Sequence, residues 1–248
     1  MPPAHPRAAM TPSRALRPIT SLRAHEEVAE QLRRGIALRI VGAGGVLPPE
    51  RDLARQFRVG RATVQKAIAL LEAEGLVERR RGRGGGTFLV DAGGPDGDAA
   101  RLVESLRGSR PAIEEALAFR LAVEPAAAAL AALAAGDGEL RAVREAAAAA
   151  AAARSDPEFM EHDTEFHLAV GRASGNRFFA EGIERLRLVL NDVLAALPDS
   201  EAWHSWSAEE HERVVSALSR RDAETARDAM AAHVLHADDA IRALLRSL

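Results

Sequence analysis

A chain of 248 residues with 47% hydrophobic content can bury one large core or two smaller ones, and its charge distribution favours two domains. It contains no cysteine, which excludes disulfides, thiolate metal sites and cysteine nucleophiles, so any metal must be held by nitrogen and oxygen ligands. The net charge of −3 conceals an asymmetry: residues 1–91 carry 16 Lys+Arg against 9 Asp+Glu, a balance of +7, and the remainder carries −10, so the first part suits a polyanion and the second does not.

Residues 1–14, rich in Pro, Ala and Arg, read as a disordered lead-in without the hydrophobic core of a secretory signal. No apolar run approaches the roughly 18 residues that span a bilayer, so a soluble cytoplasmic protein with no membrane partner is expected. From Leu22 to Ile40 the apolar residues Leu22, Val28, Leu32, Ile36 and Ile40 recur at near-helical spacing, and Gly42 stops the helix. Pro48 and Pro49 suit the start of a second helix in LPPERDLARQF, where Leu53, Ala54 and Phe57 form one apolar face. The connection Arg58-Val59-Gly60-Arg61 leads to ATVQKAIALLEAEG, with Val64, Ala67, Ile68 and Leu71 on one side and Gly75 as the stop. Two short helices across so tight a turn make a helix-turn-helix, whose second helix is the usual reader of the major groove. LVERRRGRGGGTFLV then reads as two short strands around an Arg/Gly turn, a wing. Alone, the run Arg79–Arg83 is a solvated charged turn; directly after a helix-turn-helix it becomes a phosphate and minor-groove contact.

Composition shifts at DAGGPDGD, residues 91–98, where Gly, Pro and Asp replace the large apolar residues. This divides the chain into a DNA-binding domain over 15–91, a linker over 92–98 and a second domain over 99–248. Every segment of the second domain reads as helix: 98–107, 112–135, 138–153, 156–174, 176–197, 202–220 and 222–247, separated by RP, GDG, SDP, SGN, PDS and RRD. The expected fold is mainly α, a winged helix-turn-helix with a small β-wing followed by an all-α bundle of six or seven helices. Within EHDTEFH, residues 161–167, Asp163 and His167 stand four apart and leave one helix face a turn apart. His211 lies on the next helix but one and His233 on the last. Carboxylate plus imidazole suits zinc, nickel or manganese, although a lone i,i+4 Asp/His pair is more often a surface ion pair.

The segment LPPERDLARQFRVGRATVQKAIALLEAEGLVERRRGRGGGTFLV resembles, along its whole length, the winged-helix domain of the GntR family of bacterial transcription regulators. The resemblance implies operator contacts from Arg51, Arg61, Thr63 and the wing glycine Gly82, with Gln65, Lys66, Arg81 and Arg83 beside them. Arg51 and Arg61 are then placed for guanine edges. Gly60 stands where Ser or Thr is usual, and Gln65 where a second arginine is frequent. Glutamine pairs with adenine N6/N7, so a base preference altered at one position of each half-site is expected.

The segments FRLAVEPAAAALA, DTEFHLAVGRASGN and EEHERVVSALSRRDAETARDAMAAHV look like the FadR C-terminal effector domain. In its metal-binding members an Asp and three His from three helices hold a divalent ion, and those positions fall on Asp163, His167, His211 and His233, with zinc the first choice and nickel or manganese next. Arg120 matches an arginine that meets a carboxylate effector; the other reading is an ion pair with Glu124 at i+4. His162, His204 and His236 match no ligand position. The implied protein is no enzyme but a homodimeric repressor, which binds double-stranded DNA at a palindromic operator and responds to a small organic acid. Alternatives are a metal-responsive regulator without organic effector, a purely structural metal, or a metal-dependent hydrolase-like enzyme. Against the last, no general acid or base stands out beside the four ligands.

Overall fold

The fold is given by a computed structural model that describes residues 24–42, 45–90, 95–197 and 201–248. The lead-in over 1–14 lies outside these residues. The first domain has helices α1 (Ala24–Ala37), α2 (Glu50–Phe57) and α3 (Arg61–Ala73), then strands β1 (Val77–Arg80) and β2 (Gly86–Leu89). The strands pair antiparallel from Val77↔Leu89 to Arg80↔Gly86. Its core is the apolar set read from the sequence, with Val28, Leu32, Leu53, Val64, Ile68 and Leu71 buried together. Helix α1 ends at Ala37, short of the expected Ile40, because the chain turns at Arg39 with φ 57. Arg58, also left-handed at φ 54, closes α2 and sends its backbone N–H back to Ala54 and Arg55. Gly60 is the N-cap of α3 and has no side chain to cap with, a loss of a few tenths of a kcal/mol by the usual capping scale.

The second domain consists of α4 (Pro95–Ala134), α5 (Asp137–Ala152), α6 (Asp156–Ala173), α7 (Arg177–Ala195), α8 (Glu201–Ser219) and α9 (Ala223–Ser247). Among the described residues it has six helices where the spacing suggested seven segments, because 98–107 and 112–135 are one helix running through Pro111. An internal proline removes one backbone hydrogen bond. Here Leu106 before it and Ile113, Ala116 and Leu117 after it all bury in the same cluster, which holds both halves on one axis. Helix α4 also begins at Pro95, inside the stretch read as linker.

Val103–Ala134 corrects the expectation about apolar length: by length and composition it could cross a membrane, with mean hydropathy 1.6 in its most apolar 18-residue window. Over half of that window is buried within the bundle, where Arg120 and Glu124 are both enclosed. Small residues let the helices approach closely. Ala127, Ala128, Ala131 and Ala132 of α4 and Ala146 and Ala147 of α5 share the main core. At Gly171 of α6 an added Cβ would lie 3.2 Å from the Ala180 Cα and 3.1 Å from Ile183 Cδ1 of α7.

The Gly171 contact sets the spacing of α6 against α7. Gly171→Leu is expected to lower stability by about 1–3 kcal/mol through overpacking, read as a lower midpoint in thermal unfolding; an unchanged midpoint would show that the two helices can part at no cost.

Candidate functional site

Charged and polar side chains sit where an alanine-rich bundle would ordinarily hold apolar ones. Arg120 and Glu124 on α4, Asp163, Thr164 and His167 on α6, Arg187 and Asn191 on α7, His211 on α8, and His233 and Asp238 on α9 are all buried. Burying such groups is unfavourable unless each finds a partner; most of their polar atoms do, within one network, and a few do not.

Asp163, His167, His211 and His233 each offer a ligand atom, and the four atoms lie within 4.8 Å of one another. His211 Nε2 is 3.4 Å and His167 Nε2 3.8 Å from Asp163 Oδ1, and His233 Nε2 is 3.2 Å from His167 Nε2. His167 Nδ1 lies 2.5 Å from Glu124 Oε2. A carboxylate only accepts, so His167 donates from Nδ1 and its Nε2 lone pair points into the cluster. Burial lowers the pKa of His167 despite the nearby Glu124 and Asp163 carboxylates. It lowers His233 further, with His211 and His167 adding to the effect. Burial alone would raise Asp163, but Arg187 and the histidines hold it well below the ordinary range. Neutral His167 and His233 imidazoles beside an ionised Asp163 carboxylate are the protonation states a cation needs. Both ring nitrogens of His211 are buried without a hydrogen-bond partner. The donor set therefore fits a divalent cation held by three imidazoles and one carboxylate, with Glu124 behind His167 as the outer-shell carboxylate.

Arg120 makes the i,i+4 pair with Glu124, Nε to Oε1 at 3.1 Å, and its Nη1 also reaches Asp238 Oδ1 at 3.5 Å. The ion pair is therefore present, but fully buried and beside the cluster. Burial would raise Glu124, yet His167 and Arg120 outweigh it and bring its carboxyl to about 2. Asp238 is pushed up by burial to about 6, with Arg120 opposing.

The sequence reading missed Arg187, Thr164 and Asn191. Arg187 Nη2 donates to Asp163 Oδ2 at 2.6 Å and to Thr164 Oγ1 at 2.8 Å, while its Nε and Nη1 are buried without partners. The Thr164 hydroxyl donates to Asn191 Oδ1 at 3.4 Å, and Asn191 Nδ2 donates to the Leu38 carbonyl at 2.8 Å, just past α1 in the first domain. Arg39–Asp192 at 3.0 Å and Arg34–Glu184 at 3.2 Å flank this junction. A cleft of about 740 Å³ lies beside it, away from the Asp163/His167/His211/His233 cluster, lined in part by Arg39, Phe159, Met160, Asp192 and Trp203. His162 and His204 are half-buried, with His204 paired to Asp156 at 2.8 Å, and His236 is exposed and stacked on Trp206 at 3.8 Å. Trp206 also stacks against His233 at 5.7 Å.

In the first domain, Arg51 lies in the first turn of α2, while Arg61, Thr63, Gln65 and Lys66 occupy the first turns of α3, all exposed except the half-buried Thr63. Gln65 Nε2 donates to Glu50 Oε2 at 2.9 Å, and Arg61 Nη2 lies 3.7 Å from the same oxygen. The arginine run divides. Arg79 is bonded to Glu72, and Arg80 pairs with Glu78 and lies over the Phe88 ring, 4.4 Å from its centroid. Arg81, Gly82 and Arg83 are exposed in the turn, where Gly82 takes φ 101.

The family model for the FCD domain matches residues 115–236, and that for bacterial regulatory proteins of the gntR family matches residues 24–88. The putative L-lactate dehydrogenase operon regulatory protein of Escherichia coli is 30% identical over 86% of this chain and 84% of its own. The transcriptional repressor NanR of Citrobacter rodentium is 28% identical over 88% and 85%. A putative regulator, RmpR of Mycobacterium gastri, is 38% identical over 36% of this chain, which spans only 32% of that relative. Among solved structures, McbR/YncC of Escherichia coli shares the fold with a TM-score of 0.53 at 18% identity, covering 90% of this chain and 99% of its own. The chain thus belongs to the GntR family of bacterial regulatory proteins, as a ligand-responsive DNA-binding transcription regulator whose responsive half is an FCD domain.

Proposed function

We propose that Asp163, His167, His211 and His233 hold a divalent metal, zinc first and nickel or manganese next, and that the adjoining arginines take the carboxylate of a small organic acid. The observation that carries the metal is the convergence of four ligand atoms within 4.8 Å, with His167 oriented by Glu124. Charge balance supports an anionic effector. With neutral histidines, Arg120 and Arg187 face Glu124 and Asp163, and Asp238 adds at most one further negative charge. A divalent cation leaves this buried site positive, and burial favours a neutralising anion. Arg120 is the arginine expected from the family pattern, though its fork already serves Glu124 and Asp238. Arg187 adds two unpartnered donors, suited to a carboxylate.

Binding is read out as operator affinity. The protein acts as a homodimer on a palindromic operator, with α3 in the major groove and the wing on phosphate, and as a repressor like its named relative. Exposed apolar side chains on the adjoining helices α4 and α7, among them Phe119, Leu133 and Phe178, support self-association. The hydrogen-bonded series Arg187, Thr164, Asn191, Leu38 joins metal ligand Asp163 to the DNA-binding domain, so a shift of α6 or Arg187 on loading is felt at the end of α1. A metal acting as the signal without organic effector is the second reading, favoured by the direct bond from Arg187 to a ligand carboxylate.

Elemental analysis tests the site. His211→Ala and His233→Ala should purify with lowered metal content, while His162→Ala and His236→Ala retain it; equal content in all four would eliminate the site. The chain's two tryptophans include Trp206 against His233, so zinc added to chelator-stripped protein should also change tryptophan emission.

A thermal-shift screen of metal-loaded protein against small mono- and dicarboxylates should find compounds that raise the unfolding midpoint. Arg120→Ala should keep its metal and lose that shift; an undiminished shift would remove Arg120 from the pocket.

Asn191→Leu should bind zinc with the same tryptophan signal. In wild type zinc should slow amide exchange several-fold over residues 36–42, and in the variant this slowing should vanish. Equal slowing in both would show that the domains communicate by another route.

A further inference from the structure

Gln65 and Arg61 stand one helical turn apart on α3, and both face Glu50 at the start of α2. This carboxylate is three-quarters buried, its side chain 24% exposed, and it sits in the first turn of a helix, where the N-terminal partial charge keeps an acid favourable. An acid in this place opposes DNA binding, because the surface it joins must approach phosphates. Its contacts give it another use. We propose that Glu50 is a specificity-determining positioning residue, which fixes the side-chain amide of Gln65 so that the recognition helix prefers adenine.

The chemistry follows from donor and acceptor inventory. A carboxylate has no hydrogen to give, so the edge of the Gln65 amide facing Glu50 must be the NH₂ group, which donates at 2.9 Å. One N–H is thereby engaged. What remains for a base is Oε1 together with the second N–H, an acceptor beside a donor. That pair matches adenine, which presents N6–H₂ and N7, and mismatches guanine, which presents two acceptors. Without Glu50 the amide can rotate about its last side-chain bond and turn both hydrogens toward guanine O6 and N7, or exchange the places of its oxygen and nitrogen. The same oxygen lies 3.7 Å from the Arg61 Nη2, so it also draws the neighbouring guanine-reading fork toward the helix start.

This inference rests on the reading of α3 as the recognition helix with Gln65 at a base, and the experiment separates the two. Binding sites are selected from a random pool by the full-length protein, in the wild type and in Gln65→Leu, Glu50→Ala and Glu50→Gln. Affinities for the selected and a scrambled site are then measured by fluorescence anisotropy at one salt concentration. The expected result is an adenine preference at one position per half-site, flattened roughly tenfold in both Gln65→Leu and Glu50→Ala, with preferences at the other positions kept. Scrambled-site affinity should rise in Glu50→Ala, since a negative charge has left the interface. A folding defect would instead weaken every position together, and if Glu50→Ala does not fold, Glu50→Gln decides: it keeps the shape, can itself flip, and should give a partial flattening. Flattening in Gln65→Leu with an unchanged profile in both Glu50 variants overturns the role of Glu50 and leaves Gln65 at its base. An unchanged profile in Gln65→Leu overturns the placement of Gln65, and this inference with it.

Discussion

Glu124 accepts from the Arg120 guanidinium with one oxygen and from His167 Nδ1 with the other, and neither partner is exposed. Taking an ionised carboxylate out of water costs several kcal/mol unless its oxygens are fully engaged, and both are. The consequence spreads outward. His167 has one tautomer available, so its Nε2 must face Asp163 and His233. Arg120, held by Glu124 from below, also reaches Asp238 on α9 and joins the first and last helices of the bundle. Without this carboxylate the imidazole would lose the bond that fixes its tautomer, and the guanidinium would keep only Asp238.

The parts that are local in sequence were legible there. Spacing gave the helix-turn-helix and wing, because each helix carries its own apolar stripe and ends at a residue with a backbone reason to end it, such as Gly75 at φ 75. Asp163 and His167 were visible as an i,i+4 pair. The other two residues of the cluster needed the family pattern, since no spacing rule connects His211 on α8 or His233 on α9 to α6. The merging of two expected helices through Pro111 was not legible, because the stabilisation comes from Leu106, Ile113 and Leu117 meeting the same tertiary cluster.

Arg187 and Asn191 left a signal that was passed over. On α7 the buried apolar positions are Ile183, Leu186, Leu190, Val193 and Leu194, and Arg187 lies four after Ile183 and three before Leu190. It therefore falls on the apolar face, with Asn191 four residues further along. A charge at a core position either marks an error in the helix phase or a buried partner. The partner is Asp163. Glu124 on α4 carried the same mark, four after Arg120 and three and four before the buried Ala127 and Ala128, on the face that meets the core.

The two polar devices of this chain use one principle at different depths. In the FCD domain Arg187 is held by Asp163 and Thr164, and the series of donors continues through Asn191 to a backbone carbonyl of the DNA-binding domain. Each group in that series both donates and accepts, apart from its two ends, so a change in what Asp163 holds alters the demand on every later bond. At the DNA surface Glu50 does the same for two side chains in partial contact with water. Coupling needs only a modest difference in ligand affinity between two arrangements of the domains. The junction meets that need with few contacts: the Asn191 bond lies within the buried core, while the Arg39 and Arg34 ion pairs around it are largely exposed. Exposed pairs contribute little and are weakened by salt. The buried amide is therefore the contact at this junction most able to distinguish one domain arrangement from another, because its nitrogen loses the Leu38 carbonyl and is left buried without a partner when α1 moves.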